Sequence, residues 1–360
     1  MSFFPATMKQ QQSYREAVAL LKELIQIPSF SREEDGTASA IYTFLQQHGV
    51  QAQRKQNNIW AFNQHYNAAL PTILLNSHHD TVKPNDSYTR NPFEPGITEG
   101  KLYGLGSNDA GGCLVALIAA FLYFYKQENL KYNLVLAATA EEEISGRNGL
   151  ELILPELGQL EAAIVGEPTE MQLAVAEKGL LVLDCTAKGK AGHAAREEGI
   201  NAIYEALPDI QWFQEYKFPK ESEHLGPVKM SVTLVQAGTQ HNVVPDTCKF
   251  TVDVRLTDAY TMEEVLDVIK QHVKAEVKPR SMRLKPSAIP MSHPLVQAGI
   301  ALGRTTYGSP TTSDQALLPI PSLKLGPGFS GRSHMADEYI YLHEVEEGIK
   351  LYIRLLEQVV

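Results

Sequence analysis

Thr72-Ile-Leu-Leu-Asn76 runs without a linker into Ser77-His78-His79-Asp80, and this junction decides the reading of the fold. The apolar run is too short for a helix and reads as a buried strand. Side chains of metal-ligating type stand directly at its carboxyl end. In open α/β sheets, functional groups gather in the loops past the carboxyl ends of strands. Two further places repeat the pattern. Glu141-Glu142-Glu143 follows the apolar strand Asn133 to Ala138, and Gly166-Glu167-Pro168 follows Ala162 to Val165. Gly104-Leu-Gly106-Ser-Asn-Asp109 precedes Leu114 to Lys126, a run apolar nearly all round and so expected as a helix under heavy cover. A fifth candidate, His334, lies in the turn Gly331-Arg-Ser-His334.

Working outward, Tyr14 to Ile27 reads as an amphipathic helix stopped by Pro28. Ser31-Arg-Glu-Glu34 has the spacing of a capping box and is expected to open a helix running to about His48. Strands alternating with helices predict an α/β fold, a mixed and mostly parallel sheet with helices on both faces. The pattern changes after Glu177. Gly179 to Ala187, Val228 to Val235 and Cys248 to Leu256 read as longer strands, the last with Cys248, Phe250, Val252, Val254 and Leu256 on one face. One buried and one polar face is the mark of an antiparallel sheet. Thr261-Met-Glu-Glu264 is a second capping box, followed by Val265, Ile269 and Val273 at helical spacing. The C-terminal helix carries Val345, Ile349, Tyr352, Ile353 and Leu356 on one stripe. The expected organisation is a discontinuous first domain, 1–176 with 289–360, interrupted by an inserted α+β domain with an antiparallel sheet, 177–288.

The site chemistry follows from residue types. Carboxylates immediately after buried strands are costly unless paired, and a cation removes that cost. Histidine nitrogen with Asp and Glu oxygen, and no Cys, suits catalytic zinc or a related divalent ion. His79, as neighbour of His78 on an extended segment, is expected to point away from it, into packing or to the surface.

Composition narrows the class. Among 360 residues, 44% are hydrophobic and 21% charged, an ordinary globular balance that supports a real core. The net charge of −10 argues against a nucleic-acid partner, which needs clustered Lys and Arg. Cys113, Cys185 and Cys248 form no C-x-x-C pair, so they are expected as small core residues in a reducing compartment. Leu114 to Tyr125 is too short to span a bilayer, and MSFFPATMKQQQ lacks the pattern of a signal peptide. No membrane association is expected, and the cytoplasm is the default compartment.

The ordered motifs H-x-D, G-x-G-x-x-D, E-E, G-E-P-T and a late His resemble, over essentially the whole chain, the co-catalytic zinc hydrolases that include acetylornithine deacetylase, succinyl-diaminopimelate desuccinylase and aminoacylase. The resemblance implies two divalent metal ions, zinc or alternatively cobalt, sharing a bridging Asp. His78, Asp109 and Glu167 would bind one ion, and Asp109, Glu143 and His334 the other. Asp80 would orient the ring of His78, and Glu142 would be the general base. The resemblance further implies a cis peptide between Asp109 and Ala110. Glu141 reads as structural. The inserted domain would be a lid and dimerisation domain. Its Gly189-Lys-Ala-Gly192-His193 resembles the segment whose His reaches the partner subunit's site in a homodimer and stabilises the oxyanion. Asn242 resembles the family's substrate-gripping Asn, and Arg255, in Asp253-Val-Arg255, would pair structurally or bind a substrate carboxylate.

Two departures stand out. Leu105 stands where relatives carry Arg, and Ala110-Gly111-Gly112 replaces a Lys-Gly pair. The Gly-Leu-Gly around the bridging Asp resembles the branch that deacylates N-acylornithine or N-acylcitrulline in arginine biosynthesis. The expected substrate is therefore a small N-acyl amino acid, cleaved to a carboxylate and a free amino acid. Succinyl-diaminopimelate desuccinylase and a metal dipeptidase remain as alternatives. A non-catalytic metal-binding homologue also remains, but it has no need of Glu142.

Overall fold

A computed structural model describes residues 8–360. The part of the N-terminal signal-peptide reading that concerns residues 1–7 lies outside the described residues. The chain forms two compact units, one ending at Val175 and resuming with Ala288–Tyr307 and Ser313–Val360, the other made of Ala176–Ser287 and Gly308–Thr312.

The first unit is built on a mixed sheet. Its central strands Asn133–Thr139, Thr72–His78, Leu160–Val165 and Ser322–Lys324 run parallel, while Asn58–Phe62 and Gln53–Lys55 extend one side antiparallel. The apolar runs are continuous because both faces are buried. Ile73 and Leu75, Leu134 and Leu136, and Ala162 and Ile164 enter one core with the helices Met8–Gln26, Gly112–Phe124 and Leu342–Glu357. The alternate residues Leu74, Val135, Ala137, Ala163 and Val165 enter a second core with Leu150, Ile153 and Leu157. This is the period-two division of a sheet covered on both sides.

Gly112–Phe124 is buried almost all round, as its composition predicts. Joined to the irregular turn before it, Ser107–Phe124 matches a membrane span in length and hydropathy, longer than the expected Leu114–Tyr125. With 83% of that stretch buried inside the fold, it serves as a core helix.

The second unit is a four-stranded antiparallel sheet in the order Lys229–Ala237, Thr247–Leu256, Gly179–Lys188, Glu276–Pro279. Its inward residues, among them Phe250, Val252 and Val254, pack under the helices Ala202–Glu215 and Met262–His272. The capping box at Thr261 is formed: the Thr261 hydroxyl accepts Glu264 N–H at 3.1 Å, and the Glu264 carboxylate accepts Thr261 N–H at 2.8 Å. Cys113, Cys185 and Cys248 are buried and free.

The first capping box is not formed. The helix begins at Asp35, and its N-cap Glu34 makes no side-chain capping bond. The Glu34 carboxylate instead accepts Arg32 N–H at 2.6 Å, Asn57 Nδ2 at 2.8 Å and Glu141 N–H at 3.2 Å. The Ser31 hydroxyl donates to Asp80 at 2.7 Å. A tertiary pairing, Phe30 with Thr81 in a parallel bridge, draws Ser31 away from the helix end.

Candidate metal centre

Sheet register alone assembles half of the site. Asn76 pairs with Val165 in parallel, so His78 and Glu167, each two residues further on, emerge side by side. His78 also pairs with Thr139, which delivers the turn bearing Glu141 to Glu143 beside it. Asp109 arrives from the turn Ser107–Gly111 at the start of the core helix, and the Asp109–Ala110 peptide is cis, as the resemblance implied. Gly106 opens this turn at φ 73°, and a Cβ there would meet Thr81 Cγ2 at 2.6 Å. Only glycine fits both the backbone and the space.

The side chains converge as two sets of three, His78 with Asp109 and Glu167, and Asp109 with Glu143 and His334. His78 Nε2 lies 3.3 Å from Asp109 Oδ1 and 3.6 Å from Glu167 Oε1. His334 Nε2 lies 2.9 Å from Glu143 Oε2 and 3.7 Å from Asp109 Oδ2. Asp109 thus turns one oxygen to each histidine. Donors bound tetrahedrally at ~2.0–2.2 Å from one ion stand roughly 3.4 Å apart, which is the spacing seen here.

The protonation pattern fits a cation as well. His78 Nδ1 donates to the carbonyl oxygen of Asp80 at 3.0 Å, so a neutral ring turns its Nε2 lone pair toward two carboxylates. Acceptors facing acceptors require a positive charge between them. Taken as side chains alone, the cluster meets that need with protons. Burial opposes a charge on His78, but Glu142, Asp109, Asp80 and Glu167 overcome it and raise its pKa well above the usual value. The hydrogen bond to Glu143 raises His334 to about 9, against partial burial. Burial pushes Glu142 well above the carboxylate range; His78 opposes the shift, while Glu167, Asp314 and Glu143 add to it. The donor set therefore fits divalent cations, with Asp109 common to both groups of three.

Glu142 stands within the cluster but outside both sets, its Oε2 3.9 Å from His78 Nε2. The Asp80 carboxylate lies 3.5 Å from His78 Nδ1, further than the Asp80 carbonyl. Its nearer partners are Ser31 and the N–H groups of Glu142, at 3.1 Å, and Glu143, at 3.2 Å. Glu141 turns back at φ 55° to accept Asn148 Nδ2 at 3.0 Å. His79 is buried rather than at the surface, bonded to Thr37 and Asn57, and burial lowers it to about 4.

Three contributors were not anticipated from the residues. Glu338 is buried and accepts the N–H groups of Gly106, Asn108 and Asp109. Arg332 makes a two-pronged ion pair with Glu344 at 2.6 and 3.0 Å, fixing the turn before His334. Asp314 is buried, accepts Thr139 Oγ1 at 2.8 Å, and is raised by burial to about 6. No side-chain motif marks Glu338, because its partners are backbone N–H groups.

His193, Asn242 and Arg255 belong to the second unit. His193 is exposed and pairs with Val243, and Ala194 N–H donates to Asn242 O at 3.0 Å, so the first two stand together. Arg255 grips Asp253 at 2.8 and 3.1 Å and reaches Thr312 Oγ1 at 3.2 Å.

Residues 74–358 match the family described as Peptidase family M20/M25/M40. Succinyl-diaminopimelate desuccinylase 2 of Ruegeria sp. (strain TM1040) is 29% identical over 280 residues, 72% of this chain and 70% of that protein. Among solved structures, aminopeptidase PepT of Bacillus cereus ATCC 10987 shares the fold with a TM-score of 0.78 at 20% identity, covering 96% of this chain and 98% of that one. The Bacillus subtilis YXEP protein, described as a dinuclear metal binding peptidase of the M20 family, superposes with a TM-score of 0.73 at 17% identity over 96% and 98% of the two chains. The chain belongs to peptidase family M20/M25/M40, as a metal-dependent peptidase or amidohydrolase of that family.

Proposed function

We propose that this chain hydrolyses the amide bond of a small N-acyl amino acid, N-acetyl- or N-succinyl-ornithine or citrulline, to a carboxylate and the free amino acid. The observation that carries this is Glu142, a carboxylate inside the cluster and outside both ligand sets. A site that only stored metal has no use for it. His78, Asp109 and Glu167 would hold one divalent cation, and Asp109, Glu143 and His334 the other, with zinc or cobalt the ions of choice. Bound there, the pair supplies polarisation of the scissile carbonyl and an acidified water.

The chain's own residues do the rest. Asp80, through the two backbone N–H groups, aims Glu142. Glu142 takes the proton as the water oxygen attacks the amide carbon, then returns it to the nitrogen as the C–N bond breaks. His193 donates to the carbonyl oxygen from a partner copy, Asn242 contacts the substrate, and Arg255 either keeps its pairing with Asp253 as a structural contact or binds a substrate carboxylate. Support for a homodimer comes from the edge strand Lys229–Ala237, where Leu234 and Val235 are exposed, and from exposed Tyr204 and Leu207 on the neighbouring helix. Unpaired apolar edges recruit partners.

The resemblance carried by the Gly-Leu-Gly turn, in which Leu105 is buried, supports the ornithine and citrulline branch of arginine biosynthesis. A second reading, hydrolysis of N-succinyl-diaminopimelate, is favoured by the name of the 29%-identical relative. The zinc-loaded chain, incubated with N-acetyl and N-succinyl forms of ornithine, citrulline and diaminopimelate, separates them by release of free amine. Release from the diaminopimelate derivative alone would select the second reading, and release from none would refute both.

A further inference from the structure

We infer that Ser31 is a positioning residue for Glu142 and Glu143, acting through Asp80; the inference rests on Glu142 being the base and Glu143 a metal ligand. The Ser31 hydroxyl donates to Asp80 Oδ2 at 2.7 Å. The same oxygen accepts Glu143 N–H at 3.2 Å, and Oδ1 accepts Glu142 N–H at 3.1 Å. A carboxylate turns easily about its terminal torsion, which has a broad energy profile. The two N–H donors come from one turn, one to each oxygen. Ser31 adds a third contact, from a distant segment of the chain, that restricts the carboxylate's rotation.

The hydroxyl is itself delivered by paired backbone. Phe30 bridges Thr81 in parallel, and Thr81 N–H donates to Ser29 O at 2.8 Å. In this parallel register Ser29 stands level with Asp80, and Ser31, one residue past the bridge, reaches the Asp80 carboxylate diagonally. Asp80 is only 1% exposed, so bulk water has little access to replace the hydroxyl. The helix that follows starts at Asp35 without a side-chain cap, so the serine is not needed there. Its hydroxyl orients the turn that carries the base of the reaction and one ligand of the His334 set.

The test compares Ser31→Ala and Ser31→Thr with the unaltered chain, each loaded with cobalt. Cobalt absorption reports the two binding equivalents, and kcat and KM are measured on the substrate found in the panel. In Ser31→Ala, kcat falls about 10-fold, the worth of one hydrogen bond to a charged group, and KM stays within about 2-fold. The cobalt equivalent that depends on Glu143 binds roughly 10-fold more weakly. Ser31→Thr restores the hydroxyl and recovers most of both losses, which a merely structural serine would not require. Should Ser31→Ala fail to fold, Ser31→Cys keeps the size with a weaker donor and makes the same comparison. Unaltered cobalt affinity in Ser31→Ala, or a threonine variant no better than alanine, overturns the inference. If the unaltered chain hydrolyses nothing, the reading of the reaction fails, while the cobalt titration still decides the role of Ser31.

Discussion

Glu338 accepts the backbone N–H of Asp109 at 2.9 Å. The same oxygen takes Asn108 N–H at 2.8 Å, and the other takes Gly106 N–H at 3.0 Å. Glu338 lies shortly after His334 in the chain, so one carboxylate ties the turn of the shared ligand to the segment of the late histidine. Burial and the charge of Asp109 push it up to about 8, while the three donors pull it back. A carboxylate placed against that penalty is there to hold the turn.

Replacing Glu338 by Gln turns an amide nitrogen toward a backbone N–H. The variant should lose about 1–3 kcal/mol of stability, the cost of an unsatisfied buried donor, and should bind cobalt more weakly. Thermal melts with and without metal measure the first, and titration the second. An unchanged melt together with unchanged cobalt binding would show that Glu338 does not shape the turn.

His334 tests the division into two ligand sets. Its side chain is 55% exposed, so His334→Ala should leave the fold intact. Metal content after desalting should fall from two equivalents to one, because His78, Asp109 and Glu167 remain. Loss of both ions, or of neither, contradicts the assignment.

The legible part of the fold was the part carried by local pattern. Uninterrupted apolar strands signalled burial on both faces, and alternation from Cys248 to Leu256 signalled one buried face. Donor residues just past strand ends were visible because strands place successive loops on one edge. Long-range pairing was not visible. Ser31 and Glu34 carry the spacing of a capping box, yet a partner 49 residues away takes the serine. Glu338 was illegible for a related reason: its partners are backbone N–H groups, which leave no side-chain signature in a sequence.

The second unit rests on Asp209, a buried carboxylate accepting Ala275 N–H at 2.8 Å and Lys274 N–H at 3.1 Å, just past the helix Met262–His272. Asp209→Ala should cost about 2–4 kcal/mol, since buried donors lose a charged acceptor. Thr261→Ala, which breaks the capping box, should cost about 1 kcal/mol. Denaturant melts order the two, and an Asp209 variant milder than the Thr261 variant would contradict this reading.

Catalysis across a dimer is tested with two defective chains. His193→Ala should lower kcat by ~10²–10³, the cost of one oxyanion donor. Co-refolded with Glu142→Ala, it should yield hybrid dimers holding one site with both defects and one with neither, and activity should return. Hybrid dimers that form without recovering activity would show that His193 does not act on its partner's site.

The most direct measurement is made on Glu142→Ala, with metal content and free-amine release determined on the same preparation. Glu142 lies in the cluster but outside both ligand sets, so the variant should keep two equivalents of divalent metal. Its kcat should fall by at least ~10²–10⁴, the usual contribution of general acid–base catalysis. A variant that loses its metal would make Glu142 a ligand, and one that keeps both its metal and its rate would remove the base from the mechanism.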